Sequence, residues 1–204
     1  MIAIVDYGVG NVKAFANTFE RLNIAAMIAK TPGDLAAADR IVLPGVGAFD
    51  WAMEQLNRSG MRSRLDDLVL GNSRPVLGVC VGMQMMANSS EEGHLPGLGW
   101  IDAVVKRFHH DSFGEDTNLP HMGWNDVQPT SGEGLFQGVH LPRYYFLHSY
   151  YVVPRHAEDV LATTNFGGFT FASSIQLGNR YGVQFHPEKS HEWGTSLLQA
   201  FATM

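Results

Sequence analysis

The sequence predicts an α/β fold in which a mostly parallel central sheet is flanked by helices and extended by added antiparallel strands. Three observations predict it. Strand-length apolar runs alternate with segments of helical period through the first half of the chain, the pattern of parallel strands joined by crossover helices. Shorter apolar runs separated by Gly, Asn or Pro turns fill the second half, which reads as antiparallel addition to that core. Between the halves, Cys80 sits on Gly-x-Cys-x-Gly where an apolar run passes into a helix-compatible segment, a strand–turn–helix join of the kind that carries a nucleophile.

The elements follow in order. Ile2–Asp6 reads as a short buried strand. Val12, Phe15, Ala16, Phe19 and Leu22 recur at helical spacing, which makes Asn11–Leu22 the first helix. Ile24–Ala29 is a second strand, and Thr31-Pro32-Gly33-Asp34 opens a short helix with Thr as cap and Pro in its first turn. Arg40–Leu43 is a third strand, ending in Pro44-Gly45-Val46-Gly47, and helical segments broken near Gly60 run on to Leu70. Pro75–Val79 is the fourth strand, leading into Cys80, and Met83–Asn88 is the helical segment that leaves it. Later, Trp100–Phe108, Arg143–Leu147, Val160–Thr164, Phe169–Gln176 and Arg180–Phe185 read as strands, with a hairpin connection over Gln176–Arg180. The polar segment His109–His121 reads as a loop, and His191–Thr203 as an amphipathic helix that turns Trp193, Leu197, Leu198 and Phe201 inward.

Composition bounds the function. The 204 residues suit one domain, 1–204, able to bury roughly 70% of its unfolded surface. No apolar run approaches the ~18–20 residues of a bilayer-spanning helix. The start, Met1–Asp6, carries no basic residue and reaches an acid at once, so it reads as a strand rather than a leader. A single cysteine excludes an internal disulfide framework and suits a reducing compartment, the cytoplasm. A net charge of −6 argues against a phosphate-tracking surface, so neither nucleic acid nor membrane is an expected partner. One cysteine cannot build a thiolate metal site, and His94, His109, His110, His140, His156 and His191 show no ligand spacing, so no metal is expected. With no Walker loop or dinucleotide fingerprint, no cofactor is expected either.

Three segments carry chemistry. Glycines beside Cys80 permit a turn on which a Cβ would clash, and the helix start behind it aims backbone N–H groups at the thiol, which favours thiolate. Alone, Cys80 would read as a buried core cysteine. A cysteine nucleophile needs a base and a group to orient that base. His186-Pro187-Glu188 supplies both: Pro187 holds His186 extended, and residues two apart on extended backbone point the same way. Alone, that segment would read as a polar strand exit. Pro44-Gly45-Val46-Gly47-Ala48-Phe49 follows a parallel strand, and its amides are placed to complete an oxyanion hole with the N–H of Val81. Alone, it would read as a simple turn.

The elbow Gly78-Val79-Cys80-Val81-Gly82-Met83-Gln84, the His186-Pro187-Glu188 segment and the Pro44–Gly47 turn together resemble the class I, triad-type glutamine amidotransferases, in that family's order and across essentially the whole chain. Asp6–Asn11, Pro120–Asn125, Tyr145–Tyr150 and Gly182–Ser190 are similar to one branch of it, the glutaminase subunits of imidazole glycerol phosphate synthases. The resemblance implies a flavodoxin-like sheet and a Cys80–His186–Glu188 triad that splits glutamine into glutamate and ammonia through a thioester. It implies an oxyanion hole from the backbone of Val46 and Val81, in a turn that a partner must reorient, and substrate contacts at Gly45, Gln84, His148, Ser149 and Tyr150. Trp124, Asn125 and Lys189 then face a (β/α)8-barrel cyclase in a heterodimer, where ammonia passes. That cyclase uses a phosphoribulosyl-formimino carboxamide ribotide and yields imidazole glycerol phosphate and aminoimidazole carboxamide ribotide for histidine synthesis.

Alternatives stay open in the sequence. Val81–Met85, Leu95–Trp100 and Tyr150-Tyr151 lean toward paralogs that supply ammonia for amidation of a surface-polysaccharide sugar. A non-catalytic scaffold and a γ-glutamyl hydrolase-like enzyme share the fold class, although a scaffold has no need of the triad. Met83, Met85 and Met86 read as core rather than as a soft-metal patch. Glu91-Glu92 reads as a solvated pair, with a place near the glutamine pocket open to one of them.

Overall fold

The computed structural model describes residues 1–109, 113 and 117–204. The first half runs β1 (Ile2–Val5), α1 (Val12–Arg21), β2 (Ala26–Ala29), β3 (Arg40–Gly45), α2 (Phe49–Arg58), α3 (Arg62–Asp66), β4 (Val76–Cys80) and α4 (Val81–Met85). Local chemistry accounts for the boundaries. The Asn11 side chain accepts from the N–H of Ala14 and starts α1, whose buried face is Phe15, Thr18 and Phe19. The break between α2 and α3 falls at Gly60, at φ +72°, a backbone geometry that glycine adopts without penalty.

The second half adds β5 (Ser89–Ser90), β6 (Ala103–Arg107), β7 (His121–Asp126), β8 (Gln128–Pro129), β9 (Arg143–His148), β10 (Tyr150–Pro154), β11 (Val160–Phe166), β12 (Phe169–Leu177), β13 (Arg180–Val183) and α5 (His191–Thr203). Among the described residues the main sheet runs β2-β1-β3-β4-β13-β12-β10-β6-β5, with β11 and β8 carried on the flank of β12. From β2 to β13 neighbours are parallel; β12 and β10 are antiparallel additions. Because β1 is followed by β2 on one side and β3 on the other, the strand order reverses there, and α/β sites gather at such reversals beyond the strands' carboxyl ends. That edge carries the loops after β1, β3, β4 and β13. No helix among the described residues is long and apolar enough to cross a membrane.

The structure departs from the sequence expectations in five places. Tyr150–Pro154, given no strand reading, forms β10 inside the main sheet, between β12 and β6. β9 does not join the main sheet; it pairs with β7 in a separate two-stranded sheet, Met122 opposite Leu147 and Trp124 opposite Tyr145. β7 itself carries little strand signal, since Trp124 is the one strand-favouring residue in His-Met-Gly-Trp-Asn-Asp. The helix after Cys80 begins at once and stops early, because the N–H groups of Leu98 and Trp100 take the carbonyls of Met85 and Met86 at 2.7 and 2.9 Å. Of the loop expected over His109–His121, residues 110–112 and 114–116 lie outside the described residues, and His121 belongs to β7 rather than to the loop.

Elsewhere the expected faces hold: Met83, Met85, Met86, Leu197, Leu198 and Phe201 are all in the core, with Trp193 half-buried against it. The first turn of α4 lies directly on the end of β3. A Cβ on Gly82 would stand 2.0 Å from the Leu43 carbonyl oxygen, and one on Gly45 would stand 2.3 Å from the Gly82 nitrogen. Gly82→Ala therefore forces backbone apart and is expected to cost at least about 2 kcal/mol of stability, as overpacked cores do. A urea midpoint equal to wild type would contradict that contact.

Candidate active site

Cys80 ends β4 and is followed without a linker by α4. Its own backbone sits at φ +55°, ψ −113°, a region that costs a non-glycine residue of order 1–3 kcal/mol and persists only when the surroundings enforce it. Gly78 and Gly82 on either side allow the turn: a Cβ on Gly78 would meet Met86 Sδ at 2.5 Å. The thiol is buried, with Sγ 4.0 Å from the Leu147 carbonyl and 3.7 Å from the side-chain nitrogen of Gln184.

His186 and Glu188 leave β13 as the sequence pairing requires. His186 Nδ1 meets Glu188 Oε1 at 2.9 Å, with both side chains almost fully buried. The turn is pinned from behind. The Ser190 hydroxyl donates to the His186 carbonyl at 2.6 Å and accepts from the Tyr145 N–H at 3.0 Å, while the His186 N–H donates to the Tyr145 carbonyl at 2.9 Å. Burial disfavours imidazolium, but the Cys80 sulfur and the Glu188 carboxylate on either side outweigh it and raise His186 from 6.5 to about 10. The imidazole thus holds a proton between a carboxylate and a sulfur, the arrangement that general acid catalysis at a cysteine needs.

Cys80 opens into a cavity of about 310 Å³ lined by Val46, Gly47, Val81, Gln84, Glu92, Pro120, Leu147, His148, Ser149, Tyr150, His186 and Lys189. A larger cleft of about 910 Å³ behind the His186–Glu188 turn touches Glu188 but not Cys80, so the smaller cavity is the candidate reaction chamber. Gly45 is not part of the cavity lining; it lies one strand over from Cys80 in register and packs against the backbone of Val81 and Gly82.

Behind the chamber runs a buried histidine pair. The Tyr150 carbonyl can only accept, so His148 Nδ1 carries the proton that reaches it at 2.8 Å. His148 Nε2 then accepts from His121 Nδ1 at 2.9 Å, and His121 Nε2 accepts from the Asn125 amide at 3.1 Å. Both rings are neutral: burial pulls His121 down from 6.5 to about 4, and burial with the neighbouring His121 pulls His148 down to about 3.

With that geometry in place, the comparisons decide the family. The model for glutamine amidotransferase class-I matches residues 3–204. The chain belongs to the class-I glutamine amidotransferase family. It is 52% identical to the imidazole glycerol phosphate synthase subunit HisH of Bdellovibrio bacteriovorus over 99% of both chains. It is 41% identical to the chloroplastic imidazole glycerol phosphate synthase hisHF of Arabidopsis thaliana over 98% of this chain and 34% of that protein. Among solved structures, PurLQS from Thermotoga maritima superposes with a TM-score of 0.74 at 15% identity, covering 98% of this chain and 96% of that one; at that identity the likeness speaks for the fold alone.

Within this amidotransferase the expected residues divide by position. Cys80, His186, Glu188, Val46, Val81, Gln84, His148, Ser149 and Tyr150 all meet at or around the chamber. Trp124 lies on the outer face of β7 and stacks on His191, ring centroids 5.3 Å apart; His191 itself stays exposed. Lys189 lies over the Tyr145 ring. Asn125 departs from them: strand alternation turns its side chain to the opposite face, where the amide donates to the Asn165 carbonyl at 2.9 Å as well as meeting His121. Glu92 is no solvated acid; it is half-buried, lines the chamber and accepts from the Phe49 N–H at 2.9 Å. Its burial raises its pKa. Glu92 takes the place near the pocket that the sequence left open to one of the Glu91-Glu92 pair, whereas His121 and Gln184 lie in quoted segments without being singled out there, because strand pairing brings each in.

Between pH 6.5 and about 4 the unfolded chain binds protons at His121 and His148 while the folded amidotransferase does not, so stability falls as pH drops. By pH 5 each residue is expected to remove up to roughly 2 kcal/mol. His121→Phe should flatten the slope of unfolding free energy against pH between 7 and 5; an unchanged slope would show that the ring titrates freely.

Proposed function

We propose that this amidotransferase is the glutaminase subunit of an imidazole glycerol phosphate synthase, acting as a single domain in the cytoplasm and passing ammonia to a (β/α)8-barrel cyclase subunit. The observation that carries the chemistry is a strained cysteine facing a carboxylate-bound imidazole across a chamber sized for an amino acid. The sequence relatives carry the pathway.

On this reading the Cys80 thiolate attacks the side-chain amide carbon of glutamine. The carbonyl oxygen takes the negative charge, held by the backbone N–H groups of Val46 and Val81 at the chamber wall. His186 gives its proton to the leaving nitrogen, and ammonia departs from a γ-glutamyl thioester. His186, now neutral, takes a proton from water as that water attacks the thioester. Glutamate leaves, and the sulfur returns as thiolate. Glu188 holds imidazole Nδ1 throughout, keeping Nε2 toward the sulfur. Glu92 and the Gln84 carbonyl oxygen suit the substrate's α-ammonium, since both Gln84 N–H groups are committed to Tyr150 and Gln184.

The mouth of the chamber supports a docked partner. Met122, Leu147, Trp124 and Val46 are 64%, 40%, 37% and 40% exposed, and Met122 lies opposite Leu147 across the small sheet. With Tyr145 and Lys189 they make an apolar patch with a charged edge around the opening, the kind of surface that marks an interface. Trp124 and Lys189 belong to it; Asn125 acts from behind, on His121.

Cys80→Ala is expected to leave the fold intact and stop glutamate release. Glu188→Gln should slow the reaction by roughly 10³- to 10⁴-fold, since it disturbs orientation without removing the nucleophile. Glutamate release that persists in Cys80→Ala would refute the mechanism. The purified chain alone should turn over slowly and be strongly stimulated by a histidine-pathway cyclase loaded with its ribotide. Cys80-dependent release without stimulation would instead assign the ammonia to another acceptor, with sugar amidation the first to test.

A further inference from the structure

One buried side chain beside the nucleophile has no part in the triad. Gln184 is fully buried and follows β13 directly. In the parallel register Val183 lies across from Val79, so the next step of each chain sets Gln184 alongside Cys80. Its side-chain nitrogen is 3.7 Å from Cys80 Sγ, and its carbonyl oxygen is 3.1 Å from Gln84 Nε2.

Which end of the Gln184 amide faces sulfur is settled by chemistry two residues away. The Tyr150 carbonyl accepts from His148 Nδ1 and from Gln84 Nε2, at 2.8 and 3.2 Å. A carbonyl cannot donate, so the nitrogen of Gln84 must face it. That nitrogen's other proton goes to Gln184, whose oxygen must therefore face Gln84. The Gln184 NH₂ is left toward the sulfur. Flipping either amide would set like groups against each other between side chains that are almost fully buried.

We infer that Gln184 is a further catalytic residue, whose side-chain N–H donates to Cys80 Sγ and stabilises the thiolate. A neutral thiol has its proton to give, and the Leu147 carbonyl at 4.0 Å suits that form. A thiolate has only lone pairs and needs donors. His186 supplies one, but gives its proton away at each turnover. Gln184 supplies a donor that cannot be lost, and a hydrogen bond to a charged acceptor is stronger than one to a neutral acceptor. As the thiolate becomes a thioester the sulfur weakens as an acceptor; when the thioester is cleaved the bond strengthens again and favours thiolate as the leaving group.

This rests on Cys80 being the nucleophile, yet its test requires neither glutamine nor a partner. The rate of Cys80 alkylation by iodoacetamide is measured against pH in wild type, Gln184→Leu and Gln184→Met, with folding checked by circular dichroism and thermal melting. The titratable groups around the sulfur are His186 and Glu188 on the turn after β13, Tyr7 behind the elbow, and Glu92, His148 and Lys189 on the chamber wall. All are retained in both variants. The expected result is a midpoint raised by about one pH unit, with about tenfold slower alkylation below it. A folded variant with an unshifted midpoint overturns the inference. A readout on the unaltered core covers the case in which both variants unfold: a glutamine side-chain amide resonance should titrate with the Cys80 midpoint and cease to do so in Cys80→Ala. The absence of any such resonance overturns it equally. A midpoint that shifts as expected in the variants, together with a wild type that releases no glutamate from glutamine, would count against the proposed reaction and leave the inference standing.

Discussion

The site depends on one close approach, that of the backbone at the start of α4 to the backbone at the end of β3. With Leu43 and Gly45 on one side and Gly82 on the other, there is no room for a Cβ between them. That contact lets the chain turn from strand to helix at Cys80 and forces the residue into a positive φ. It also brings the Val46–Gly47 turn to the same wall as the Val81 N–H. The Cys80 elbow and the placing of the Val46–Gly47 turn beside it are thus consequences of a single packing constraint. The strain at Cys80 is offset by the core beneath it, where β3 and β4 are buried along almost their whole length.

A second dependence is electrostatic. From Asn125 through His121, His148, the Tyr150 carbonyl, Gln84 and Gln184, every polar group has its donor or acceptor sense fixed by its neighbour. A carbonyl oxygen near the middle, which can only accept, sets the direction on both sides. The histidines therefore act as neutral, oriented dipoles, and burial keeps them so at neutral pH. His186 has the opposite setting: equally buried, it faces a carboxylate and a sulfur and is drawn to its charged form. Three histidines within one region take two protonation states because of their partners, not their depth.

The parts legible in the sequence were those encoded by nearest neighbours. Gly-x-Cys-x-Gly between an apolar run and a helix, and His-Pro-Glu after another apolar run, each specify geometry within a few residues, and Cys80, His186 and Glu188 lie as those patterns require. The parallel core was legible for the same reason. What was hidden depends on pairing between distant segments. β7 forms because β9 offers it an edge, not because its residues favour strand. Asn125 reads as a neighbour of Trp124 in sequence, but alternation on a strand sends the two side chains to opposite faces. Glu92 enters the chamber because its carboxylate takes the first N–H of α2 while Asp50 of that helix takes the N–H groups of His94 and Leu95. Such reciprocal ties leave no periodic trace.

This tie between Glu92 and α2 bears on how a partner would control the reaction. α2 begins just after the Val46–Gly47 turn, so the acid suited to the substrate's ammonium is fastened to the segment that carries the oxyanion donor. Val46 projects outward from that turn beside Leu147 and Lys189, at the mouth of the chamber. A partner seated on Met122, Trp124 and Leu147 would meet Val46 directly, and pressure there is transmitted to the peptide that must point at the oxyanion. On the proposed reading, substrate binding from inside and docking from outside would act on the same short loop. The triad and its hydrogen-bond chain are locked by burial, whereas this loop is held by one strand end and one carboxylate. Val46–Ala48 are exposed where the triad is buried, so on the proposed reading this loop is the part through which a second subunit would set the rate without rearranging the nucleophile.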